Sequence, residues 1–304
     1  MPDIFIIGCG DIGVRVARLE QARGHGVAAL TRSAAGAERL RGFGIEPVTG
    51  DLDEVASLGD LSLAGKRVYY FAPPPGGGPW DTRMRNFCAA IAPEQVPAKV
   101  IYISTSGVYG DCGGAWVTES TPVNPQTSRA KRRLDAETTL CAWGERCEVE
   151  VVILRVTGIY GPGRLPLARL QQGHPVLREA ESPPTNRIHA DDLAAVCLAA
   201  ADRAADGEIF NVSDGQPGTM TQYFNAAADL LGLPRPPQVS MAEAQQVMTP
   251  MMLSYLTETR RMDNRKLREQ LGVALRYPEL ESGLKNVIEQ LNQPNMGYLG
   301  SMGH

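Results

Sequence analysis

The segment FIIGCGDIG, residues 5–13, is the most informative part of this 304-residue chain. A short apolar run leads into it, and a helical pattern follows it. Gly8 permits a tight turn, Gly10 lets the backbone approach a ligand, and Gly13 lets a helix pack closely against a strand. Because helix N-termini attract phosphate, the segment predicts a site for the pyrophosphate of a dinucleotide, formed by Gly8, Gly10, Asp11, Ile12 and Gly13. The alternative is a glycine turn with a purely structural role.

Outward from this segment, apolar runs of strand length alternate with helical patterns, which is typical of a parallel sheet built from strand-helix-strand units. The predicted strands are 4–7, 27–30, 46–48, 68–72, 100–104 and 151–154, and the predicted helices between them are 14–23, 37–41, 81–92 and 129–143. In the first helix, Val14, Ala17 and Leu19 are expected to face inward. The fold class is therefore α/β, with a Rossmann-type doubly wound parallel sheet.

After Gly161 the strands shorten and helical patterns dominate, at residues 190–204, 220–231, 242–248 and 280–291. This change indicates a smaller second lobe. The segment 190–204 is rich in alanine and apolar on most sides, so we expect it to pack on the sheet.

Composition excludes several classes of protein. The chain is 43% hydrophobic and 21% charged, which excludes a disordered chain, and its net charge of −4 comes with no long basic block. Nucleic acid and membrane are therefore not expected as partners. We expect a cytoplasmic protein, because the N-terminus lacks the pattern of a signal peptide and the six scattered cysteines suit reduced, mostly buried thiols. No metal site is predicted.

The end of the second predicted strand bears on which dinucleotide is bound. An acidic residue there would bind the ribose 2′-hydroxyl, whereas an arginine can pair with a 2′-phosphate. The strand ends at Thr31-Arg32-Ser33, and no acidic residue lies between Glu20 and Glu38. Arg32 and Ser33 therefore favour NADP over NAD, although NAD stays an option and a solvated surface arginine is the plain alternative.

Two further segments are expected near the cofactor. Asp51 and Leu52 follow the third predicted strand and would lie by the adenine, unless Asp51 only caps the next helical turn. Ala72 and Pro73 begin the loop APPPGGGP, residues 72–79, at the carboxyl end of the fourth strand. This loop is either a flap over the cofactor or a plain connector.

Four later segments occur in an order that resembles the short-chain dehydrogenase/reductase superfamily, in its extended and atypical form typified by NAD-dependent epimerases and dehydratases. They are ISTSGVYG at 103–110, LRVTGIYGPG at 154–163, RIHADDLA at 187–194 and GEIFNVSDG at 207–215. The resemblance spans about residues 3–290. It implies a dinucleotide-binding domain of residues 1–162 and 186–216, a substrate lobe of residues 163–185 and 217–293, and a tail of residues 294–304.

The resemblance also implies a catalytic group, and here the chain departs from the pattern. The family uses a Tyr four residues before a Lys, with a Ser or Thr that steadies the substrate oxygen. Thr105 matches the Ser/Thr and Lys131 the Lys, but the Tyr position holds Thr127. A threonine hydroxyl does not titrate near neutral pH. Either redox chemistry is lost, or Tyr109 or Tyr160 supplies the proton, or Lys131 acts itself.

Three more residues are expected to line the substrate cleft, because they approach the carboxyl side of the sheet: Arg155, Tyr160 and Arg187. For the two arginines, structural ion pairs with Asp191 or Asp192 are the alternative. His189 is expected to be structural. The neighbouring Arg132 and Arg133 are expected on a solvated edge.

Two functions follow from the resemblance. One is an NADP-dependent oxidoreductase or epimerase that acts on a sugar-nucleotide or another small carbonyl or alcohol. The other is an NADP-binding sensor or scaffold without turnover. The resemblance also implies a homodimer through the helices at 81–92 and 129–143, although the sequence alone shows no exposed apolar stripe there.

Overall fold

A computed structural model describes residues 3–291, so the tail predicted at 294–304 lies outside the described residues. The strands are β1 (Ile4–Ile7), β2 (Val27–Thr31), β3 (Glu46–Thr49), β4 (Arg67–Tyr70), β5 (Lys99–Thr105), β6 (Trp116–Val117), β7 (Glu150–Val156), β8 (Gly158–Tyr160), β9 (Val176–Leu177), β10 (Pro184–Thr185), β11 (Arg187–His189), β12 (Ile209–Val212), β13 (Gly218–Thr219), β14 (Gln238–Val239) and β15 (Arg261–Met262). The helices are α1 (Asp11–Ala22), α2 (Ala34–Gly42), α3 (Thr82–Ala90), α4 (Ser128–Cys147), α5 (Leu167–Gln171), α6 (Ala190–Arg203), α7 (Met220–Leu231), α8 (Met241–Val247), α9 (Pro250–Thr257), α10 (Arg265–Leu271) and α11 (Leu280–Leu291).

A seven-stranded parallel sheet forms the centre of the molecule, in the order β12-β7-β5-β4-β1-β2-β3. This confirms the predicted α/β fold with a doubly wound parallel sheet. The chain order reverses between β1 and β4, and the crevice at the carboxyl ends of strands beside such a reversal is where open α/β sheets bind ligands. The segment of residues 8–13 begins at that point.

Helices cover both faces of this sheet because its strands alternate apolar side chains between the two sides. Ile4 and Ile6 pack with α1, α6 and α10, whereas Phe5 and Ile7 pack with α3 and α4. Burying both faces excludes water from the sheet and stabilises it. The prediction that residues 190–204 pack on the sheet is confirmed, since α6 belongs to the first of these clusters.

The rest of the chain forms small elements beside the sheet. Four two-stranded pairs, β8 with β11, β9 with β14, β10 with β13 and β6 with β15, link segments distant in sequence. A separate apolar cluster around Tyr160, Leu170 and Phe224 joins α5, α7 and α11. Within residues 3–291, no helix is long and apolar enough to cross a membrane.

One prediction about the first helix is wrong. The helix begins three residues earlier than predicted, directly after Gly10, and Leu19 faces outward with 39% of its surface exposed. Val16 and Glu20 are buried instead, since the inward face follows the positions four residues apart from Ile12.

Candidate functional site

The three glycines of the segment have three different environments. Gly8 has φ +84°, and a Cβ there would lie 2.4 Å from the backbone nitrogen of Ala72 at the end of β4. At Gly13 a Cβ would lie 3.2 Å from the Gly8 carbonyl oxygen. At Gly10 it would meet nothing within 4 Å. Packing therefore demands a glycine at position 8 and favours one at position 13, whereas position 10 borders open space.

The open side of Gly10 coincides with the N-terminus of α1. No side chain caps this helix end, which begins at Asp11. The amide of Gly10 donates to the Gly8 carbonyl at 2.8 Å, and that of Val14 donates to Gly10. Amides of the first turn, among them those of Asp11 and Ile12, are the donors that bind phosphate at helix N-termini. The residues present therefore fit a dinucleotide, with Gly10 leaving room for its pyrophosphate.

The predicted NADP determinants lie at the end of β2. Arg32 is exposed, and the hydroxyl of Ser33 accepts a hydrogen bond from the Gly36 amide, so Ser33 caps α2. The pKa of Asp53 is lowered, mainly by hydrogen bonds from Arg83 and to a smaller extent by the charge of Arg32. Arg83 thus pairs with Asp53 at 2.7 Å, and the charge of Arg32 also acts on this carboxylate.

A third arginine, which the sequence did not single out, reaches the glycine turn. Nη2 of Arg39 in α2 donates to the Cys9 carbonyl at 2.6 Å. No local pattern in the sequence indicates this contact, because Arg39 lies 30 residues from Cys9. Its side chain adds positive charge between α2 and the turn.

Asp51 and Leu52, expected by the adenine, and Ala72 and Pro73, expected near the cofactor, have the following contacts. Asp51 accepts a hydrogen bond from the Asp53 amide at 3.0 Å, as in a local turn. Leu52 is buried, and its carbonyl accepts from Asn86. Ala72 is buried against Gly8, and Pro73 is exposed.

The loop after β4 is tied down along its length. Arg83 donates to the Pro73 carbonyl at 3.1 Å, Arg132 donates to the Gly78 carbonyl at 2.7 Å, and the Asp81 amide donates to Asp135 at 2.8 Å. These bonds join the loop to α3 and α4.

The expectation that Arg132 and Arg133 form a solvated edge is wrong. Arg132 is buried under the loop, and Arg133 donates to the Ile103 carbonyl at 2.9 Å. Both guanidinium groups donate to backbone carbonyl oxygens, because a guanidinium removed from water needs acceptors within the protein.

The family's catalytic positions meet at the start of α4. Thr127 is the N-cap of this helix, and its hydroxyl accepts from the Ala130 amide at 3.3 Å. The Thr105 hydroxyl accepts from the Gly107 amide at 3.2 Å. A Cβ on Gly107 would lie 3.5 Å from Thr105 and 3.6 Å from Ala130, so the turn after β5 packs on the first turn of α4. Lys131 is exposed on the next turn.

Tyr109 and Arg155 lie in a buried polar network rather than on the cleft surface. Arg155 forms an ion pair with Glu137 at 2.8 Å and donates to the Tyr109 hydroxyl at 3.1 Å. That hydroxyl donates to Asn211 at 2.7 Å. Burial raises the pKa of Tyr109, which disfavours proton release. The sequence did not indicate these partners, because Glu137 lies 18 residues from Arg155 and Asn211 lies 102 residues from Tyr109.

The ion pairs considered for Arg155 and Arg187 do not form with the carboxylates named from the sequence. Asp191 pairs with Arg15, and Asp192 accepts from the backbone amides of Arg276 and Tyr277. Asp191 and Asp192 do not pair with these two arginines because they face α1 and the chain before α11.

Arg187 and Tyr160 lie in a second buried cluster. Arg187 donates to the Thr219 carbonyl at 2.9 Å and lies over the Tyr223 ring. Burial lowers the pKa of Arg187 and raises that of Asp214 nearby to about 6. Tyr160 packs against Gly283, and among the described residues its hydroxyl has no hydrogen-bond partner.

His189 is buried, as expected of a structural histidine, but among the described residues its Nε2 has no hydrogen-bond partner. It is fully buried between the rings of Tyr160 and Tyr277, and its Nδ1 accepts from the Asp191 amide at 3.2 Å. Burial lowers its pKa to about 4, so the ring is neutral at physiological pH. Within residues 3–291, no three side chains of His, Cys, Asp or Glu gather as a metal site would require.

Comparison with known proteins agrees with this geometry. The model of the NAD dependent epimerase/dehydratase family matches residues 4–213. This chain belongs to that family. The match confirms the resemblance to the extended short-chain dehydrogenase/reductase superfamily.

Individual relatives extend over most of the chain. Protein YeeZ of Escherichia coli strain K12 is 27% identical over 250 residues, which cover 78% of this chain and 86% of YeeZ. A conserved protein of unknown function from Silicibacter pomeroyi DSS has TM-score 0.81 and 31% identity, covering 96% of this chain and 100% of that chain. MoeE5 in complex with UDP-glucose and NAD has TM-score 0.73 and 22% identity, covering 95% and 98%. This last likeness concerns the fold.

Proposed function

We propose that this member of the NAD dependent epimerase/dehydratase family binds NADP in preference to NAD at the turn of residues 8–13. The observation that carries the proposal is the open side of Gly10 at an N-terminus of α1 that no side chain caps. A turn with only a structural role would not need a glycine there. The family as a whole, and MoeE5 with its bound NAD, supply the class of cofactor.

The preference for NADP rests on positive charge at the adenosine end. Arg32 is exposed after β2, and its charge acts on Asp53, which pairs with Arg83. A 2′-phosphate adds a dianion that guanidinium groups bind strongly. NAD lacks this group and gains nothing from the arginines.

Fluorescence titration with NADPH and NADH tests the preference. We expect NADPH to bind about tenfold tighter than NADH, and Arg32→Ala to remove most of that difference, as the loss of one charge-assisted contact predicts. Arg41→Ala is the control. It removes an exposed arginine from the last turn of α2 and should change neither affinity. Equal affinities in the wild-type protein would refute the preference.

For the chemistry, we propose that the protein binds NADP without turning it over, as a sensor or scaffold. Thr127 stands at the position of the family's tyrosine and is engaged as a helix cap. The substitutes suggested by the sequence, Tyr109 and Tyr160, are buried, and burial raises the pKa of both. Neither therefore suits an acid or base at neutral pH.

A second candidate keeps redox chemistry on a sugar-nucleotide or another small carbonyl or alcohol. It is favoured by Thr105, which retains its place against α4, and by the fold that this chain shares with MoeE5, which binds UDP-glucose. The proposed substrate lobe comprises residues 163–185 and 217–293, with Arg155, Tyr160 and Arg187 as supports beneath the cleft. In this case Lys131 would supply the positive charge beside the cofactor.

One experiment separates the two candidates. The protein is loaded with NADP, UDP-glucose is added, and the absorbance of reduced nicotinamide is followed. The sensor proposal predicts no reduction by the wild type or by Thr127→Ser, which keeps the helix cap. Reduction by the wild type would favour the enzyme. Thr127→Tyr should gain reduction if the phenol alone is missing, at a cost of about 1 kcal/mol in stability for the lost cap.

A further inference from the structure

Asp11 places a negative charge at the glycine turn. It is the first residue of α1, so its carboxylate lies at the helix end whose amides would hold the pyrophosphate. A carboxylate there stabilises the helix but repels a bound anion unless a cation neutralises it. Two arginines do so, Arg15 at 2.9 Å and Arg164 at 2.7 Å.

These two arginines are held differently. Arg15 belongs to α1 and also pairs with Asp191 of α6, so two carboxylates fix it in place. Arg164 comes from the chain after β8, 153 residues away, and a third of its side chain is exposed. It directly follows Gly163, which has φ +77° and open space where a Cβ would be. Arg164 therefore reaches the turn from a distant and partly exposed segment of the chain.

We propose that Arg164 is a cofactor-binding residue that exchanges Asp11 for the pyrophosphate when NADP binds. This inference rests on the proposed function. An ion pair as exposed as this one contributes little stability, so its guanidinium is readily given up to a ligand of higher charge. A planar guanidinium also suits two phosphate oxygens at once. In the free protein, Asp11 keeps Arg164 beside the turn.

NADPH titration of the wild type, Asp11→Asn, Arg164→Gln and the double variant tests the proposal. We expect Arg164→Gln to weaken NADPH binding about tenfold or more, because a charge-assisted contact is lost and Asp11 is left facing the phosphates. Asp11→Asn should strengthen binding. Arg235→Gln is the control, since it breaks a similar exposed pair, with Asp229, at the end of α7. Wild-type affinity in Arg164→Gln would overturn the proposal.

The same four proteins test the exchange itself. The coupling between Asp11 and Arg164 in melting temperature should be measurable without NADPH and vanish at saturating NADPH. Coupling that persists when NADPH is bound would overturn the exchange. If Arg164→Gln folds poorly, Arg164→Lys keeps the charge and should bind NADPH with intermediate affinity. A wild type that binds neither NADPH nor NADH contradicts the proposed function, whereas tight binding unaffected at Arg164 contradicts only this inference.

Discussion

At the scale of single residues, the glycine turn contains one glycine that the fold requires and another that leaves room for a ligand. Gly8 is required by its positive φ and by the approach of Ala72, whereas Gly10 has a negative φ and borders open space. Glycine therefore has two roles within three positions, a tight turn at position 8 and room for a ligand at position 10. The sequence pattern predicted both roles, and the geometry distinguishes them.

The structural demand at Gly8 predicts a large loss of stability on substitution. Gly8→Ala should lower the free energy of unfolding by about 3 kcal/mol, because a positive φ and a backbone clash at 2.4 Å add together. Gly24→Ala is the matched control, since Gly24 has φ +87° with nothing within 4 Å of a Cβ. It should cost about 1 kcal/mol. Urea unfolding measures both, and equal losses would contradict the clash.

His189 predicts a dependence of stability on pH. Its pKa in the folded protein is about 4, below the ordinary 6.5, so the unfolded chain binds the proton more readily. Stability from this group is full above about pH 6.5 and is lost toward pH 4, by up to about 3 kcal/mol. His189→Gln should flatten the fall in unfolding free energy across this range, measured by urea unfolding at several pH values.

The matched control for this prediction is His174→Gln, which removes an exposed histidine of the second lobe. It should keep the wild-type pH dependence. If the unfolding free energies of the wild type and His189→Gln fall in parallel with pH, protonation of His189 does not contribute to the pH dependence, and the prediction is wrong.

At the scale of elements, α4 connects the parts of the site. Its N-cap is Thr127, its Arg132 holds the loop after β4, and its Glu137 pairs with Arg155 of β7. One helix thus places the catalytic positions of the family, the loop and the end of a central strand relative to one another.

The buried ion pair between Glu137 of α4 and Arg155 of β7 predicts a large loss of stability when only one partner is removed. Arg155→Met leaves Glu137 buried without its cation and should cost about 3–5 kcal/mol in unfolding free energy. The double variant Arg155→Met/Glu137→Leu should recover most of that loss, because no charge stays buried. Calorimetric or urea unfolding measures both. A loss below about 1 kcal/mol in the single variant would contradict a tightly desolvated pair.

Periodicity predicted most elements but not their long-range contacts. The bounds of α7 and α11 agree with the sequence prediction because their apolar stripes are regular. The predicted helix at 129–143 stopped before Gly144, yet α4 continues to Cys147. Gly144 lies inside the helix because a Cβ there would come within 2.6 Å of the Val151 side chain. The contact of Arg132 with Gly78 spans 54 residues and leaves no local pattern. The buried surroundings of Tyr109 and Arg155 are equally invisible in sequence.

At the scale of the whole molecule, the sheet order brings the site together. β1 and β4 are neighbours at the reversal, so the turn after β1, the loop after β4 and the chain after β5 leave the sheet along one edge. Arg164, which lies 153 residues after Asp11 in the sequence, forms an ion pair with Asp11 at this edge. The proposed dinucleotide site therefore lies in one crevice at this edge of the sheet.

Calorimetric titration of NADPH into the wild type and Gly10→Ala tests this central claim most directly. Gly10→Ala should lose no more than about 1 kcal/mol in unfolding free energy, because a Cβ at position 10 meets nothing within 4 Å and the loss comes only from placing alanine at the N-cap of α1. The wild type should bind one NADPH per chain, and Gly10→Ala should bind it at least about tenfold more weakly, since the methyl group occupies the approach of the pyrophosphate. No binding by the wild type, or equal binding by a folded Gly10→Ala, would contradict the assignment of this crevice.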